Sequence, residues 1–213
     1  MEDANTSLQT GEPRSIALII SSTRPTRIGH LITRHVTSQL TSSLSSQGID
    51  NIRLSSIDLS AFPLPFCDEP HIPAHFPADD PTSHYAHAHT RAWSTEIRKH
   101  SAFIFITPQY NWGYPAPLKN AIDYLFHEWG GKPALVVSYG GHGGVRAAAQ
   151  LIQVLNGLRM KPLEEFVSYT IAVRETDQVR ENGDFDNERK QLWKATGSDA
   201  ALETKFRELI ALL

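Results

Sequence analysis

Hydroxyl and guanidinium side chains follow the first apolar segment of the chain. The segment Ser21-Ser-Thr-Arg-Pro-Thr-Arg-Ile-Gly29 leads directly into apolar residues at helical spacing. Hydroxyl groups, arginine side chains and the free amides of a helix start all bind phosphate. The segment lacks the Gly-Lys-Ser/Thr ending of a Walker motif and the glycine triplet of a dinucleotide fingerprint. It therefore predicts a phosphate cradle. The alternative is a capped helix with two solvated arginines, Arg24 and Arg27.

Aromatic side chains are concentrated in a second segment, Thr107-Pro-Gln-Tyr-Asn-Trp-Gly-Tyr-Pro-Ala-Pro117. Tyr110, Trp112 and Tyr114 lie there between an apolar run and a helix that begins with proline. The glutamine and asparagine of the segment can hydrogen-bond locally and hold an irregular backbone. We interpret the segment as a platform for a flat ring. The alternative is that the aromatic residues only cover the edge of a sheet.

Glycine dominates a third segment, Ser138-Tyr-Gly-Gly-His-Gly-Gly144, which contains four glycines in seven residues. Glycine lets the backbone approach a ligand closely and expose its amides, but it loses much conformational entropy on folding. A simple connector between a strand and a helix would rarely carry that cost four times. The segment therefore predicts close backbone contact with a ligand, with a glycine-rich connector as the alternative.

Five apolar segments predict the strands that position these three loops. They span residues 16–20, 52–59, 102–106, 134–137 and 166–173. Helical spacing predicts helices over residues 28–44, 83–100, 114–129, 143–158 and 188–213, with a break at 197–198. This alternation predicts an α/β fold with a doubly wound five-stranded parallel sheet and helices on both faces. Ligands of such sheets bind beyond the carboxyl ends of the strands, so we expect the three loops to meet at one edge.

The remaining segments carry weaker signals. Residues 61–81 contain six prolines and predict a long loop, and residues 174–187 are charged and turn-rich. Residues 1–14 are polar and resemble neither a signal peptide nor an anchor, so we interpret them as a flexible leader. Residues 15–213 are then expected to form a single domain, since one domain commonly reaches about 200 residues.

Composition narrows the possible classes of protein. The chain has 213 residues, 40% of them apolar, and a net charge of -3, which is typical of a globular protein and not of a nucleic-acid binder. Its single cysteine, Cys67, excludes an internal disulfide and a cysteine-based zinc site. The longest apolar runs are far shorter than the roughly 20 residues of a membrane span. We therefore expect a cytoplasmic protein with no nucleic-acid or membrane partner.

Histidines are concentrated between residues 71 and 100, where six of the ten occur. Carboxylate or cysteine partners at metal-ligand spacing are not evident beside them. We therefore expect solvated or capping histidines and no metal site.

The three segments together resemble the NAD(P)H-dependent FMN reductase family, which has a flavodoxin-like fold and includes quinone and azo-dye reductases. The segment that begins Thr107-Pro-Gln-Tyr-Asn-Trp and continues to Lys-Asn-Ala-Ile-Asp123 is the most specific part of the likeness. The first segment differs, because the family often has glycine at the position of Ser21. The resemblance covers residues 15–173.

The resemblance implies that FMN is bound by ten residues. For the phosphate the implied contacts are Ser22 and Arg24. For the isoalloxazine and ribityl region they are Pro108, Gln109, Tyr110 and Asn111. For the pyrimidine end of the ring they are Ser138, Tyr139, Gly140 and Gly141. Each group agrees with the role that its residue types predict, namely anion cradle, ring platform and close-approach amides.

The implied activity is hydride transfer from NAD(P)H to bound FMN, followed by two-electron reduction of quinones, free flavin or azo compounds in a ping-pong order. No side-chain acid or base is required. The alternative function is an FMN-binding redox-sensing module that regulates a partner protein. The resemblance also implies a homodimer, for which Trp112 and the helical residues Leu125, Phe126 and Trp129 could supply an exposed apolar patch.

Overall fold

The computed structural model describes residues 13–62 and 64–213. Most of the leader expected from the sequence lies outside these residues. Its last residue, Arg14, is already the first residue of strand β1.

Six strands of the described chain form one parallel sheet. They are β1 (Arg14–Ile20), β2 (Ile52–Asp58), β3 (Ala102–Pro108), β4 (Pro133–Gly140), β5 (Lys161–Pro162) and β6 (Val167–Thr170). The order across the sheet is β2-β1-β3-β4, and both β5 and β6 pair with β4. This order is that of the flavodoxin-like doubly wound fold. The fold predicted from the sequence is therefore confirmed.

The outermost position of the sheet is shared by two short strands. Lys161 and Pro162 pair with the beginning of β4, and pairing resumes only at Val167, opposite Val137. Four residues separate the two paired segments on this side, whereas two residues separate their partners on β4. The extra residues interrupt the ladder, so the sheet has five positions but six strands.

Seven helices of the described chain cover the two faces of the sheet. They are α1 (Gly29–Ser46), α2 (Ala88–Arg98), α3 (Ala116–Asp123), α4 (Val145–Gly157), α5 (Thr176–Asn182), α6 (Asn187–Ala195) and α7 (Ser198–Ala211). One core cluster joins α1, α6 and α7 to the sheet, and a second joins α2, α3 and α4. Along β3, Phe103 and Phe105 belong to the second cluster while Ile104 and Ile106 belong to the first. Burial on both faces explains the continuous apolar runs.

Helix α3 is shorter than its apolar spacing predicts, because a side chain captures a backbone donor. The Phe126 amide donates to Oε2 of Glu128 over 3.3 Å, and the Trp129 indole donates to the Ile122 carbonyl over 3.3 Å. Leu125 and Trp129 are nevertheless only 2% and 0% exposed. The suggestion that they form a patch for a second chain is therefore wrong, since they fill the core of their own chain.

The segment after β6 also differs from expectation. Residues 174–187 contain α5, which carries a single buried apolar residue, Val179, and therefore gives almost no helical spacing. The expected break at 197–198 is confirmed, because Gly197 has φ +82° between α6 and α7. In the described part of the chain, no helix combines the length and apolar character that crossing a membrane would require.

Candidate functional site

The carboxyl ends of the central strands lie level with one another. Ile20 pairs with Ile106, and Ile106 pairs with Val137. The chain therefore leaves β1, β3 and β4 at the same edge of the sheet. We name the segments that follow the first loop (residues 21–28), the second loop (residues 109–115) and the third loop (residues 141–144). The prediction that the three segments meet is confirmed.

The first loop presents a helix start without a cap. Helix α1 begins at Gly29, and among the described residues no side chain caps it and no acidic residue lies in its first turn. Its first amides and the positive end of its dipole are therefore available to an anion. Ser21 is buried and donates to the Ile106 carbonyl over 2.9 Å. Ser22 is also buried, and its Oγ accepts a hydrogen bond from the Tyr139 hydroxyl over 3.1 Å.

The two arginines of the first loop have different environments. Arg27 forms a bidentate pair with Asp58 at 2.5 and 2.7 Å and donates to the Ser22 carbonyl over 2.8 Å. Its hydrogen bond to Asp58 raises the pKa of Arg27. Arg24 is exposed, and its Cζ lies 3.8 Å from the centroid of the Tyr110 ring. Arg27 thus braces the loop against β2, whereas Arg24 presents its guanidinium at the rim.

The second loop contains a tight turn with an unusual backbone. The amide of Tyr110 donates to the Gly113 carbonyl over 2.8 Å, and the Gly113 amide donates back over 3.0 Å. The two residues between them, Asn111 and Trp112, have φ values of +47° and +70°. These are the features of a type I′ turn, whose third residue is usually glycine. Trp112 is 71% exposed, and the Cζ of Arg146 lies 4.9 Å from its ring centroid.

Tyr110 is half-buried on the face of this turn. Burial raises the pKa of Tyr110, while the positive charges of Arg24 and Arg27 oppose that rise. The ring therefore stays neutral, and the Arg24 guanidinium covers one of its two faces.

Gln109 and Pro108 join the second loop to neighbouring elements. Oε1 of Gln109 accepts hydrogen bonds from the amides of Arg146 and Ala147, over 3.0 and 3.4 Å, and so caps helix α4. Pro108 is buried at the end of β3, where it pairs with Tyr139 of β4. Gln109 therefore links the second loop to α4, and Pro108 links it to β4.

The third loop is shaped by its glycines, but one of them is not explained by packing. Gly143 and Gly144 have φ values of +70° and +74°, and a Cβ on Gly143 would lie 1.9 Å from the Ser168 hydroxyl. Gly140 has φ +147°. Gly141 lies outside the positive range, and a Cβ there would meet no atom within 4 Å. Its missing side chain leaves open space at the rim.

The ten residues expected to contact FMN thus divide by exposure. Arg24, Asn111 and Gly141 are exposed; Gln109, Tyr110 and Gly140 are half-buried; Ser22, Pro108, Ser138 and Tyr139 are buried. In the buried group, Ser138 donates to the Gly143 carbonyl over 2.7 Å, and burial raises the pKa of the Tyr139 phenol. These hydroxyl groups are occupied within the protein. The sequence reasoning missed Asp58 and Arg146. The only sequence signal for Asp58 was its position as an acidic residue at the end of the strand beside β1.

Comparison with known proteins identifies the family. The model of the family described as NADPH-dependent FMN reductase matches residues 14–173. The NAD(P)H-dependent FMN reductase LOT6 of Saccharomyces cerevisiae is 45% identical over 148 residues, which are 68% of this chain and 75% of that protein. The NAD(P)H-dependent FMN reductase ntnL of Nectria sp. is 31% identical over 201 residues, covering 93% and 96%.

Solved structures show the same fold at lower identity. The flavoenzyme NAD(P)H:(acceptor) oxidoreductase FerB from Paracoccus denitrificans superposes with a TM-score of 0.62 at 20% identity, over 89% of this chain and 96% of that one. At this identity the likeness concerns the fold alone. The family match and the two sequence relatives carry the assignment. This chain belongs to the NADPH-dependent FMN reductase family.

Proposed function

We propose that this chain binds FMN at the edge formed by the three loops and reduces small-molecule acceptors with electrons from NAD(P)H. FMN is the cofactor and NAD(P)H the electron donor of the family. When bound, FMN would supply two-electron chemistry between NAD(P)H and an acceptor, and we propose that the two substrates react in a ping-pong order. Quinones, free flavin and azo compounds are the acceptor classes we propose, on the strength of the family resemblance.

The first loop fits the phosphate of FMN. A phosphate needs donors and positive charge; the uncapped start of α1 offers donors, and the exposed Arg24, five residues before Gly29 in the same loop, offers the charge. Within residues 13–62 and 64–213, Arg24 forms no ion pair that would compete. Ser22 would contribute through its backbone, because its hydroxyl is bonded to Tyr139. An exposed cation in the loop that leads into an uncapped helix is the observation that carries the proposal.

The second and third loops fit the ring. Tyr110 offers an apolar face, and Asn111 is exposed beside it. Gly140 and Gly141 place backbone against the open space described above, so amides there would face the pyrimidine end of the ring. Backbone amides aimed at that end would stabilise negative charge that develops on the ring during hydride transfer. No side chain is then needed as a general acid or base.

Removing Arg24 tests the phosphate role. We expect Arg24→Ala to weaken FMN binding by about 10-fold or more, since charge-assisted hydrogen bonds are the stronger ones. Arg53→Ala is the matched control: Arg53 is exposed, near the start of β2, at the opposite edge of the sheet. The measurement is FMN affinity by fluorescence titration of the FMN-free protein. Equal affinity in the two variants would contradict the phosphate role.

Steady-state turnover tests the enzymatic role. We expect sustained NAD(P)H oxidation with a quinone, and parallel lines in double-reciprocal plots at several quinone concentrations. A regulatory FMN module would be reduced once and would then turn over slowly. Reduction without turnover would therefore favour the redox-sensing alternative.

We also propose that the protein is a cytoplasmic homodimer. Phe66 and Ile72, in the proline-rich loop, are each exposed apolar side chains that a second copy would cover. The lone exposed cysteine, Cys67, is compatible with a reducing compartment. Light scattering of the wild type and of Phe66→Asp tests the dimer, because a charge at a buried interface should shift the mass to that of one chain.

A further inference from the structure

Trp112 has a backbone conformation that its side chain does not favour. Its φ of +70° lies in the left-handed region, where glycine is preferred and bulky residues are rare. Burial does not compensate, because the indole is 71% exposed. Backbone strain of this kind concentrates at functional sites, where the surrounding structure holds it. An exposed, strained tryptophan at the cofactor edge therefore indicates a ligand for its ring.

Arg146 covers one face of that ring. Its Cζ lies 4.9 Å from the Trp112 centroid, and its side chain is exposed in the first turn of α4. In the part of the chain that the structure describes, no carboxylate forms an ion pair with Arg146. The N–H edge of the guanidinium and its outer face are therefore open to an anion and to a second flat ring.

Side-chain hydrogen bonds join the turn that carries Trp112 to the helix that carries Arg146. Gln109, which precedes the turn, caps the amide of Arg146 itself. Gly113, which ends the turn, lies beside the end of the exposed Gln150 side chain of α4, whose Oε1 would be 2.8 Å from a Cβ on Gly113. Trp112 and Arg146 are thus positioned relative to each other before any ligand arrives, which reduces the entropy lost on binding.

Two arginines from other elements contact different aromatic residues of the second loop. Arg24 reaches Tyr110 from the first loop, while Arg146 reaches Trp112 from α4. The site therefore has a cation for a second anion besides the FMN phosphate. NADPH is the ligand of the proposed reaction that carries both an aromatic base and an additional phosphate. An arginine near the adenosine ribose accommodates that 2′-phosphate in other dinucleotide-binding proteins.

We infer that Trp112 and Arg146 form the binding site for the adenosine end of NADPH, with Arg146 bound to its 2′-phosphate and stacked between Trp112 and adenine. The inference rests on the proposed function and assigns a coenzyme preference to it. NADH lacks the 2′-phosphate and would lose this contact.

Nucleotide binding tests the inference without turnover. We expect the FMN-loaded wild type to bind adenosine 2′,5′-bisphosphate at least about 10-fold more tightly than adenosine 5′-monophosphate in calorimetry. Arg146→Gln should bring the two affinities within about 2-fold of each other. Arg159→Gln is the matched control, because Arg159 also lies over an aromatic ring, that of Phe126, but just beyond the other end of α4. It should keep the wild-type ratio.

Kinetics and a second variant complete the test. For Arg146→Gln, kcat/KM should fall about 10- to 100-fold with NADPH and less than about 3-fold with NADH. Trp112→Gly should raise the melting temperature by relieving the left-handed strain and yet weaken binding of both nucleotides.

Several results would overturn the inference. The wild type could bind the two nucleotides equally well, or Arg146→Gln could keep the wild-type affinity ratio. The kcat/KM of Arg146→Gln could also fall equally with NADPH and NADH. Finally, Trp112→Gly could change the oligomeric state while nucleotide binding stays intact. Failure of the proposed function would look different, since neither coenzyme would then bleach the flavin of the wild type.

Discussion

The hydroxyl of Tyr139 donates a hydrogen bond to Oγ of Ser22 over 3.1 Å, across 117 residues of sequence. The bond joins the end of β4 to the first loop. Gly29 packs against it, since a Cβ there would lie 2.3 Å from Ser22 Oγ and 2.8 Å from the Tyr139 hydroxyl. At the candidate site, buried polar side chains therefore fix the loops, and exposed ones remain available to a ligand.

Removing this hydrogen bond should destabilise the protein. We expect Tyr139→Phe to lower the free energy of unfolding by about 1 kcal/mol, as is typical when a buried acceptor loses its donor. Ser22→Ala removes the other partner. Urea unfolding of the two single variants and the double variant gives the coupling energy. Strictly additive effects would show that the two hydroxyl groups do not stabilise each other.

Gln109 also stabilises the site, and its structural role can be measured in the FMN-free protein, where no flavin contact contributes. Gln109→Ala should cost about 1 kcal/mol of unfolding free energy, because the amides of Arg146 and Ala147 lose their acceptor. Gln109→Glu should retain stability, since it keeps the oxygen and adds a favourable charge at the helix start. Urea unfolding of the FMN-free proteins is the measurement. If both variants unfold like the wild type, the cap does not contribute.

Much of this architecture follows from local sequence patterns. Strands buried on both faces leave continuous apolar runs, and the alternation of strands with helices fixes which loops share an edge. The misjudged parts depend on particular side-chain contacts that residue spacing does not reveal. The end of α3 is set by the side chain of Glu128, which the helical spacing of Leu125 and Trp129 does not reveal. In the same way, Arg24 and Arg27 look alike in sequence. Their environments differ because Arg27 binds Asp58, 31 residues later in the chain, whereas Arg24 does not.

Gly141 is the glycine of the third loop that neither backbone conformation nor packing requires. Gly141→Ala should therefore leave the stability of the FMN-free protein unchanged within about 0.5 kcal/mol or raise it slightly. At the proposed FMN site the added methyl group should nevertheless weaken FMN binding by about 10-fold, because it would fill the space that we propose for the ring. FMN titration and thermal unfolding measure the two effects.

Two other glycines provide the controls for that variant. Gly157→Ala, at the end of α4, also adds a methyl group in open space and should leave FMN affinity unchanged. Gly143→Ala should destabilise the fold itself, given the 1.9 Å approach to Ser168. Normal FMN affinity in Gly141→Ala would show that the ring does not approach this residue.

The pair of Arg27 and Asp58 makes stability depend on pH in a defined direction. Burial alone would raise the pKa of Asp58, but hydrogen bonds from Arg27 and from Ser60 outweigh it and leave that pKa below its ordinary value. A carboxylate with a depressed pKa in the folded state stabilises the protein above its unfolded pKa of about 3.9. That stabilisation is lost as the pH falls through the lower, folded value.

Asp58→Asn should therefore be less stable than the wild type at pH 7, by about 1 kcal/mol because the pair is partly exposed. The difference should stay constant down to about pH 5 and shrink towards pH 3, because the Asp58 carboxylate of the unfolded wild type becomes protonated there before the folded one does. Urea unfolding at pH 7, 5, 4 and 3 measures it. Asp50→Asn is the control, since Asp50 is exposed and, among the residues that the structure describes, forms no ion pair. A difference that persisted unchanged at pH 3 would mean that the Asp58 charge does not stabilise the first loop, and the loss would then reflect packing alone.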